Sequence, residues 1–209
     1  MKRLFIIQIT CFVCVGLLSC KSHSTPEMEA APTSEQMTTD VSMESKKEYP
    51  LWITEFKRLR DALYQNNIEE IKSFFDFPLT DDQSTGLFNA SQVMSGNEVK
   101  NFDIITEEEF TKDYTKIFTS EFIKGLLPIK SDSLLANQYA HSPEWKRKGD
   151  NAVYTTSATF EEHDQILSLY LNSTYFIEDS EETSGESAVV FMFKMKNGKL
   201  KFDGVMMAG

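Results

Sequence analysis

Residues 189–204 read VVFMFKMKNGKLKFDG and contain the strongest folding signal of the chain. Asn197-Gly198 joins two runs in which apolar and polar residues alternate, a pattern typical of a two-residue β-hairpin turn. Such a turn pairs Lys196 with Lys199, which sets the register of both strands. The sequence therefore predicts an antiparallel hairpin over these residues.

This register assigns the side chains of the hairpin to two faces. Phe193 is expected opposite Phe202, and Phe191 opposite Gly204. The apolar face is predicted to contain Val189, Phe191, Phe193, Met195, Leu200, Phe202 and Met206. The other face is predicted to contain Lys194, Lys201 and Asp203 beside Met192. One apolar and one mixed face are typical of an antiparallel sheet that is covered on one side.

Two further strands are predicted before the hairpin. Between Ala152 and Phe160, alternate residues repeat with the period of two that a half-buried strand requires. The next strand is predicted to place Leu167, Leu169, Leu171, Tyr175 and Ile177 on one face. The acidic stretch Glu178–Glu186 is expected to be a loop. Together with the hairpin, these segments predict a curved antiparallel sheet of about four strands.

Helices are predicted before the sheet. The first begins near Pro50, which suits a helix start, and ends at Asn66-Asn67. Its apolar stripe is Trp52, Phe56, Leu59 and Leu63. A short helix follows, with Ile68, Ile71, Phe74 and Phe75, and ends before Pro78 because a residue ahead of proline disfavours helix. Residues 80–101 are expected to be a loop, with one short strand at most, because they contain Asp81-Asp82, Gly86, Gly96 and Asn97.

A third helix is predicted where Thr106 and Glu109 form a capping box. Its buried stripe is Phe110, Tyr114, Ile117 and Phe118. Ser120 is expected to cap a continuation that carries Phe122, Ile123, Leu126 and Leu127 and stops at Pro128. Residues 129–150 are expected to be irregular.

Helices followed by an antiparallel sheet define an α+β domain. The order of the elements resembles the NTF2-like, cone-shaped fold over residues 50–209. The segments that bear this resemblance are Trp52-Ile53-Thr54-Glu55-Phe56, Phe74-Phe75-Asp76-Phe77-Pro78-Leu79, the helix from Thr106 to Phe118, and Lys199-Leu200-Lys201-Phe202-Asp203-Gly204. The resemblance implies N-terminal helices packed on the curved sheet.

The N-terminus resembles the signal peptide of bacterial lipoproteins. Lys2 and Arg3 precede an apolar run that ends in Leu17-Leu18-Ser19-Cys20, which matches the lipobox pattern. The run is shorter than the roughly 20 apolar residues that a membrane span needs. The alternatives are an ordinary cleaved signal with a chance cysteine, or an uncleaved anchor. The resemblance implies cleavage before Cys20 and lipidation of its thiol.

Three segments follow from this cleavage site: the signal peptide 1–19, a lipidated cysteine with a disordered tether 20–47, and the folded domain 48–209. The tether is rich in Ser, Thr, Pro and Glu and has no apolar period. Lys21, rather than Asp, follows the cysteine, so the resemblance favours the outer membrane, on its periplasmic or its surface face. Cys11 and Cys14 leave with the signal, so no disulfide is expected in the mature protein.

The net charge of the chain limits the classes of partner that it is expected to bind. The whole chain has a net charge of −11, and loss of Lys2 and Arg3 leaves −13. Such an acidic protein is not expected to bind nucleic acid or anionic lipid headgroups.

Candidate functional residues are few. By resemblance to NTF2-like enzymes, the proton-transfer candidates are Asp76, Tyr114, His163, Asp164 and Asp203. Glu161, Glu162, His163 and Asp164 are acidic or imidazole groups suited to a divalent cation, although neighbouring strand residues point to opposite faces. Trp145-Lys146-Arg147-Lys148 is a candidate contact patch. No catalytic set, metal site or cofactor site can be assembled from these residues.

The sequence therefore favours a membrane-anchored, non-enzymatic binding or scaffolding domain of the cell envelope. Its expected partners are the lipid bilayer, through acylated Cys20, and a protein or small-molecule ligand. The rival hypothesis is a hydrolase- or isomerase-like enzyme with a pocket between the helices and the sheet.

Overall fold

The computed structural model describes residues 48–95, 104, 106–176 and 183–209, and these residues form an α+β domain. The predicted signal peptide, Cys20 and the tether lie outside the described residues. The described helices are α1 (Leu51–Tyr64), α2 (Ile68–Lys72), α3 (Asp81–Ser95), α4 (Glu107–Ile117), α5 (Ser120–Leu126) and α6 (Ser131–Asn137). The described strands are β1 (Tyr139–His141), β2 (Ala152–Glu161), β3 (Ile166–Phe176), β4 (Thr183–Lys196) and β5 (Lys199–Ala208).

The strands form one open antiparallel sheet in the order β1-β2-β3-β4-β5. Its strand count is five within the described residues, one more than predicted, because β1 lies in the stretch 129–150 that was expected to be irregular. The same stretch contains α6, so that prediction was wrong. Both elements are short, and β1 depends on pairing with β2, such as Ala140 with Ala158. Such long-range pairing leaves little local signal in a sequence.

Residues 80–101 were predicted to be a loop, yet α3 occupies their first part. The amide of Gln83 donates to Thr80 Oγ1, and the amide of Thr80 donates back to Gln83 Oε1, so the helix start is reciprocally capped. Gly86, which suggested a loop, lies inside the helix where an added Cβ would be 3.1 Å from Val205. This glycine allows α3 to pack closely against β5.

The predicted register of the hairpin is confirmed near its turn and is wrong beyond the pair Phe193–Phe202. Lys196 pairs with Lys199 and Phe193 with Phe202. A β-bulge then places Asp203 as an extra residue, so that Met192 pairs with Gly204 and Phe191 with Val205. Because one extra residue exchanges the two faces, Met206 lies on the outer face and Val205 on the inner face.

The helices cover only the inner face of the sheet. The helix and strand side chains form one core cluster, and the strand members of the cluster all come from that face. Ring contacts join the layers: for example, Trp52 stacks on Phe160 at 4.0 Å, and Phe75 contacts Phe202 at 4.8 Å. The capping box of Thr106 and Glu109 is confirmed. The cap of α5 is Thr119 rather than the predicted Ser120.

The free edge of β5 is covered by the segment 73–76 and by α1. The amide of Phe202 donates to Phe74 O at 2.6 Å, and the amide of Leu200 donates to Glu55 Oε2 at 3.0 Å. Lys201 pairs with Asp76 at 2.7 Å and donates to the carbonyl of Ser73 at 3.0 Å. These contacts occupy backbone donors that an exposed edge would offer to another strand.

Candidate functional site

An open groove of about 1050 Å³ lies on the inner side of the sheet, near the start of β2. One wall is the connection from α4 into α5, and the other is the segment 142–148. The ends of α1 and α3 complete it through Asn66 and Met94. The volume lies at the upper end of the range typical of small-molecule sites, so the groove has room for a ligand of several residues or rings.

Backbone hydrogen bonds to β2 hold the segment 142–148 in place. Trp145 forms a β-bridge with Tyr154, with N–H to O distances of 2.9 and 2.8 Å in the two directions. Ser142 donates its amide to Thr156 O at 2.7 Å, and its hydroxyl accepts from Thr156 N at 3.0 Å. The indole of Trp145 stacks on Tyr154 at 4.8 Å. This wall of the groove is therefore built on the sheet.

Arg147 joins this wall to the end of α3. Its guanidinium donates to Met94 O at 2.9 Å and to Val93 O at 3.4 Å, and it lies 4.6 Å over the ring of Tyr154. A cation at the last carbonyls of a helix is favourable because those carbonyls carry partial negative charge. We therefore assign Arg147 a structural role in addition to its place in the groove.

Tyr154 and Asp150 form a hydrogen-bonded pair behind the groove. The Tyr154 hydroxyl donates to Asp150, whose other oxygen accepts from the amide of Ala152 at 2.9 Å. The hydrogen bond from Tyr154, and then that from Ala152, lower the pKa of Asp150, while desolvation opposes the shift. Burial, followed by the same hydrogen bond, raises the pKa of Tyr154, so this hydroxyl stays protonated and acts as a donor.

The charge of the groove is opposite to that of the protein. Four cationic residues line it, against two carboxylates, in a chain whose net charge is −11. The cations are Lys124, Lys146, Arg147 and Lys148, and the carboxylates are Glu121 and Glu144. The three lysines are exposed, and they form no ion pair within the part of the chain that the structure describes.

Two buried polar atoms lie at the base of the α5 wall. Trp145 Nε1 and Thr156 Oγ1 have no hydrogen-bond partner among the described residues. Both face Gly125 of α5, where an added Cβ would be 2.1 Å from the Thr156 oxygen and 3.3 Å from the indole nitrogen. Gly125 is thus the residue that lets α5 approach the sheet and close the base of the groove.

The structure does not bring the predicted proton-transfer residues together. Asp76 is exposed and paired with Lys201, and Asp203 lies at the bulge, 3.7 Å from Lys196. His163 and Asp164 lie in the exposed β2–β3 turn and contact each other at 2.9 Å.

Tyr114 is the candidate that lies next to the groove. It is buried in α4, and its hydroxyl donates to Asn66, whose side chain lines the groove.

The cation candidates are likewise spread along a turn. Glu162 accepts a hydrogen bond from Gln138 at 3.2 Å, and His163 is 93% exposed. Among the described residues, no group of three or more His, Cys, Asp or Glu side chains is arranged to bind a metal ion. Of the predicted acidic loop, residues 177–182 lie outside the described residues, and β4 already begins at Thr183. The lipidation site Cys20 also lies outside them.

The groove itself could not be located from the sequence. Trp145-Lys146-Arg147-Lys148 was predicted as a contact patch, and these four residues line one wall. The rest of the groove depends on α5 and on the end of α3. Of these two, α3 lies in the stretch 80–101 that was predicted to be a loop. The signal that the sequence offered was Gly125, a glycine inside the short helix α5.

The chain matches no protein-family model, no curated protein and no solved structure. No helix in the described ranges combines the length and the apolar character that crossing a membrane requires.

Proposed function

We propose that this protein is a membrane-anchored lipoprotein of the cell envelope, and that its domain is a non-enzymatic binding module. The anchor is the lipid on Cys20, which follows the lipobox match Leu17-Leu18-Ser19-Cys20. A single acyl chain binds a bilayer only reversibly, whereas two or more make release negligible. We place the protein in the outer membrane because Lys21 follows the cysteine.

The fold that we propose for this module is the NTF2-like cone. The helix-first order, the single open antiparallel sheet and the helices on one face support it. In such a fold, the space between the helices and the sheet is where a ligand site is expected. The groove beside β2 occupies that space.

The observation that best supports a binding role is the reversal of charge in the groove. Lys124, Lys146 and Lys148 project into it without ion-pair partners among the described residues, beside the fixed ring of Trp145. A concave site with an excess of one sign of charge raises the local concentration of ligands of the opposite sign. The groove is therefore suited to an acidic peptide, whose carboxylates the lysines attract and whose apolar part contacts the indole.

A titration with hexaglutamate tests this role. The chain from Lys21 onward contains the whole described domain, and Trp52→Phe makes Trp145 its only tryptophan. We expect hexaglutamate to change the fluorescence of Trp145 saturably at low salt, and added salt to weaken the binding because the lysines are exposed. Hexalysine is the control ligand.

Matched lysine substitutions locate the binding. We expect Lys146→Gln with Lys148→Gln to weaken binding about tenfold, since each loses a close charge pair worth up to about 1 kcal/mol. Lys112→Gln with Lys199→Gln changes the net charge equally at exposed positions away from the groove. Equal weakening by both pairs, or no binding at low salt, contradicts the proposal. Hydrolase or isomerase turnover that is lost on replacing His163 or Asp203 favours the enzyme hypothesis instead.

A further inference from the structure

The outer face of the sheet, which the core helices do not cover, has an unusual composition. Cross-strand pairing arranges its side chains in rows, and three neighbouring rows share this composition. The first row is Tyr139, Thr159, Ser168, Met192 and Gly204. The second is His141, Ser157, Tyr170, Val190 and Met206. The third is Thr155, Asn172, Ala188 and Ala208.

These three rows contain no Asp, Glu, Lys or Arg, although those types make up 25% of the chain. Charged residues stand at the borders of these rows, with Glu161, Lys194, Lys201 and the bulge residue Asp203 on one side and Glu186 on the other. The side chains of an uncovered sheet face are normally polar and often charged. A charge-free band across the whole sheet is therefore a feature that solubility does not account for.

The band is divided into an apolar half and a hydroxyl-rich half. Val190 lies between Tyr170 and Met206 in the second row and is 1% exposed. The half near β1 and β2 contains hydroxyl and amide groups instead. There, Asn172 Nδ2 donates to Ser157 Oγ at 3.2 Å.

A shallow depression of about 580 Å³ lies over the hydroxyl-rich half. Its lining includes Thr155, Ser157, Thr159, Tyr170 and Asn172. Tyr139 stands at its border on β1, with 48% of its surface exposed. The depression thus combines several neutral donors and acceptors with one accessible aromatic ring, and its lining also includes the carboxylate of Glu186 at one end.

We propose that this depression binds a neutral oligosaccharide. Sugar hydroxyls both donate and accept hydrogen bonds, as do the Thr, Ser and Tyr hydroxyls that line the site. The carbon-bound hydrogens of a pyranose ring pack on an aromatic face such as Tyr139. The three rows offer no countercharge to an ionic ligand, and Glu186 at the end of the depression disfavours an anion but can accept a hydrogen bond from a sugar hydroxyl.

The depression is separate from the groove of the proposed function, because it lies on the outer face of the sheet. The residues that line the depression and those that line the groove do not overlap. Ligand binding at the two sites can therefore be tested independently. Hexaglutamate serves for one, and neutral sugars serve for the other.

The test is a titration of the ¹⁵N-labelled chain from Lys21 onward with tetra-N-acetylchitotetraose and, separately, maltotetraose. We expect at least one of them to shift amide resonances saturably, with the shifts confined to residues 139–141, 155–159 and 168–174. The two sugars distinguish recognition of an acetamido group from recognition of hydroxyls alone. No shift with either sugar up to about 10 mM, where a Kd of about 1 mM gives near saturation, overturns the proposal.

Two variants assign the binding to the depression. Tyr139→Ala removes the exposed ring and is expected to weaken binding about tenfold, the loss expected from one aromatic contact. Thr155→Val removes a hydroxyl without a change of shape and is expected to weaken it less. Tyr64→Ala removes a comparably exposed ring on α1 and serves as the control. Shifts of the same amides that depend on protein concentration without sugar identify the face as an interface between copies, and also overturn the proposal.

Discussion

Phe193 and Phe202 face each other across β4 and β5, with ring centroids 5.7 Å apart and planes inclined at 68°. Edge-to-face contact at this distance is a favourable geometry for two aromatic rings. Phe75 contacts both rings from the segment between α2 and α3, at 6.4 and 4.8 Å. The pair therefore links the C-terminal hairpin to the helical layer.

Phe202→Ala is expected to lower the free energy of unfolding by about 3–5 kcal/mol, because it leaves a cavity at a fully buried site. Urea unfolding monitored by circular dichroism measures the change. Met207→Ala, on the same strand and face but 43% exposed, is the control and should cost less than about 1 kcal/mol. A loss at Phe202 no larger than that of the control contradicts the predicted role of the hairpin in the core.

Gly125→Ala is expected to destabilise the domain although alanine is normally better in a helix by about 1 kcal/mol. The new Cβ would meet Thr156 Oγ1 at 2.1 Å and Thr156 Cβ at 2.9 Å, and such overpacking typically costs about 1–3 kcal/mol. Gly185→Ala is the control, since its Cβ would meet no atom within 4 Å. Equal thermal stability of the two variants would show that α5 moves to accommodate the new Cβ without a loss of stability.

Thr156→Val is expected to stabilise the domain. Thr156 is fully buried, and its hydroxyl has no partner among the described residues, so valine removes a buried polar group at nearly constant volume. An unsatisfied buried group costs about 1–3 kcal/mol, which sets the expected gain in unfolding free energy. Thr155→Val, one residue away on the other face, is the control. A loss of stability instead would indicate a buried water that bridges Thr156 and Trp145.

Asp150→Asn is expected to lower stability most at neutral pH. Its hydrogen bonds hold the folded-state pKa below the unfolded value of about 3.9. The ionised form therefore stabilises the fold above about pH 4, and this contribution is lost as the pH falls through the folded-state pKa. Urea unfolding at neutral and acidic pH should show the gap between wild type and variant closing in acid. Asp164→Asn in the β2–β3 turn is the control, and a gap independent of pH counts against the prediction.

Cys20→Ala is expected to abolish lipid attachment and to leave the uncleaved precursor, because the thiol is the proposed site of acylation. Intact-mass measurement of the protein from bacterial membranes decides the outcome. Cys14→Ala, within the same apolar run, is the control and should still yield the lipidated mature form. A normal lipid mass on the Cys20 variant would refute the proposed anchor.

The sequence predicted the parts of the fold that depend on neighbours along the chain. Asn197-Gly198 predicted the hairpin turn, and Thr106 with Glu109 predicted the start of α4, because each signal spans a few residues. The apolar stripe of α1 also predicted buried side chains, of which Phe56 is an example.

The sequence could not predict features that depend on distant contacts. The bulge at Asp203 requires β5 to accommodate α3 and the segment 73–76 as well as β4. Considered with its sequence neighbours alone, Gly86 favours a loop. The residue that explains it, Val205, lies far away in the chain. The groove arises in the same way, since its walls meet only after α5 packs on β2.

The helix α1 runs from one end of the sheet toward the groove. Its 14 residues span about 21 Å. Its first turn lies at the end of the sheet that contains the β2–β3 and β4–β5 turns, with Trp52 on Phe160 and Leu51 beside Gly198. Beyond its last turn, Asn66 lines the groove. Within the described domain, the residues ahead of Leu51 therefore join at one end of α1, and the groove opens near the other end, about 21 Å away.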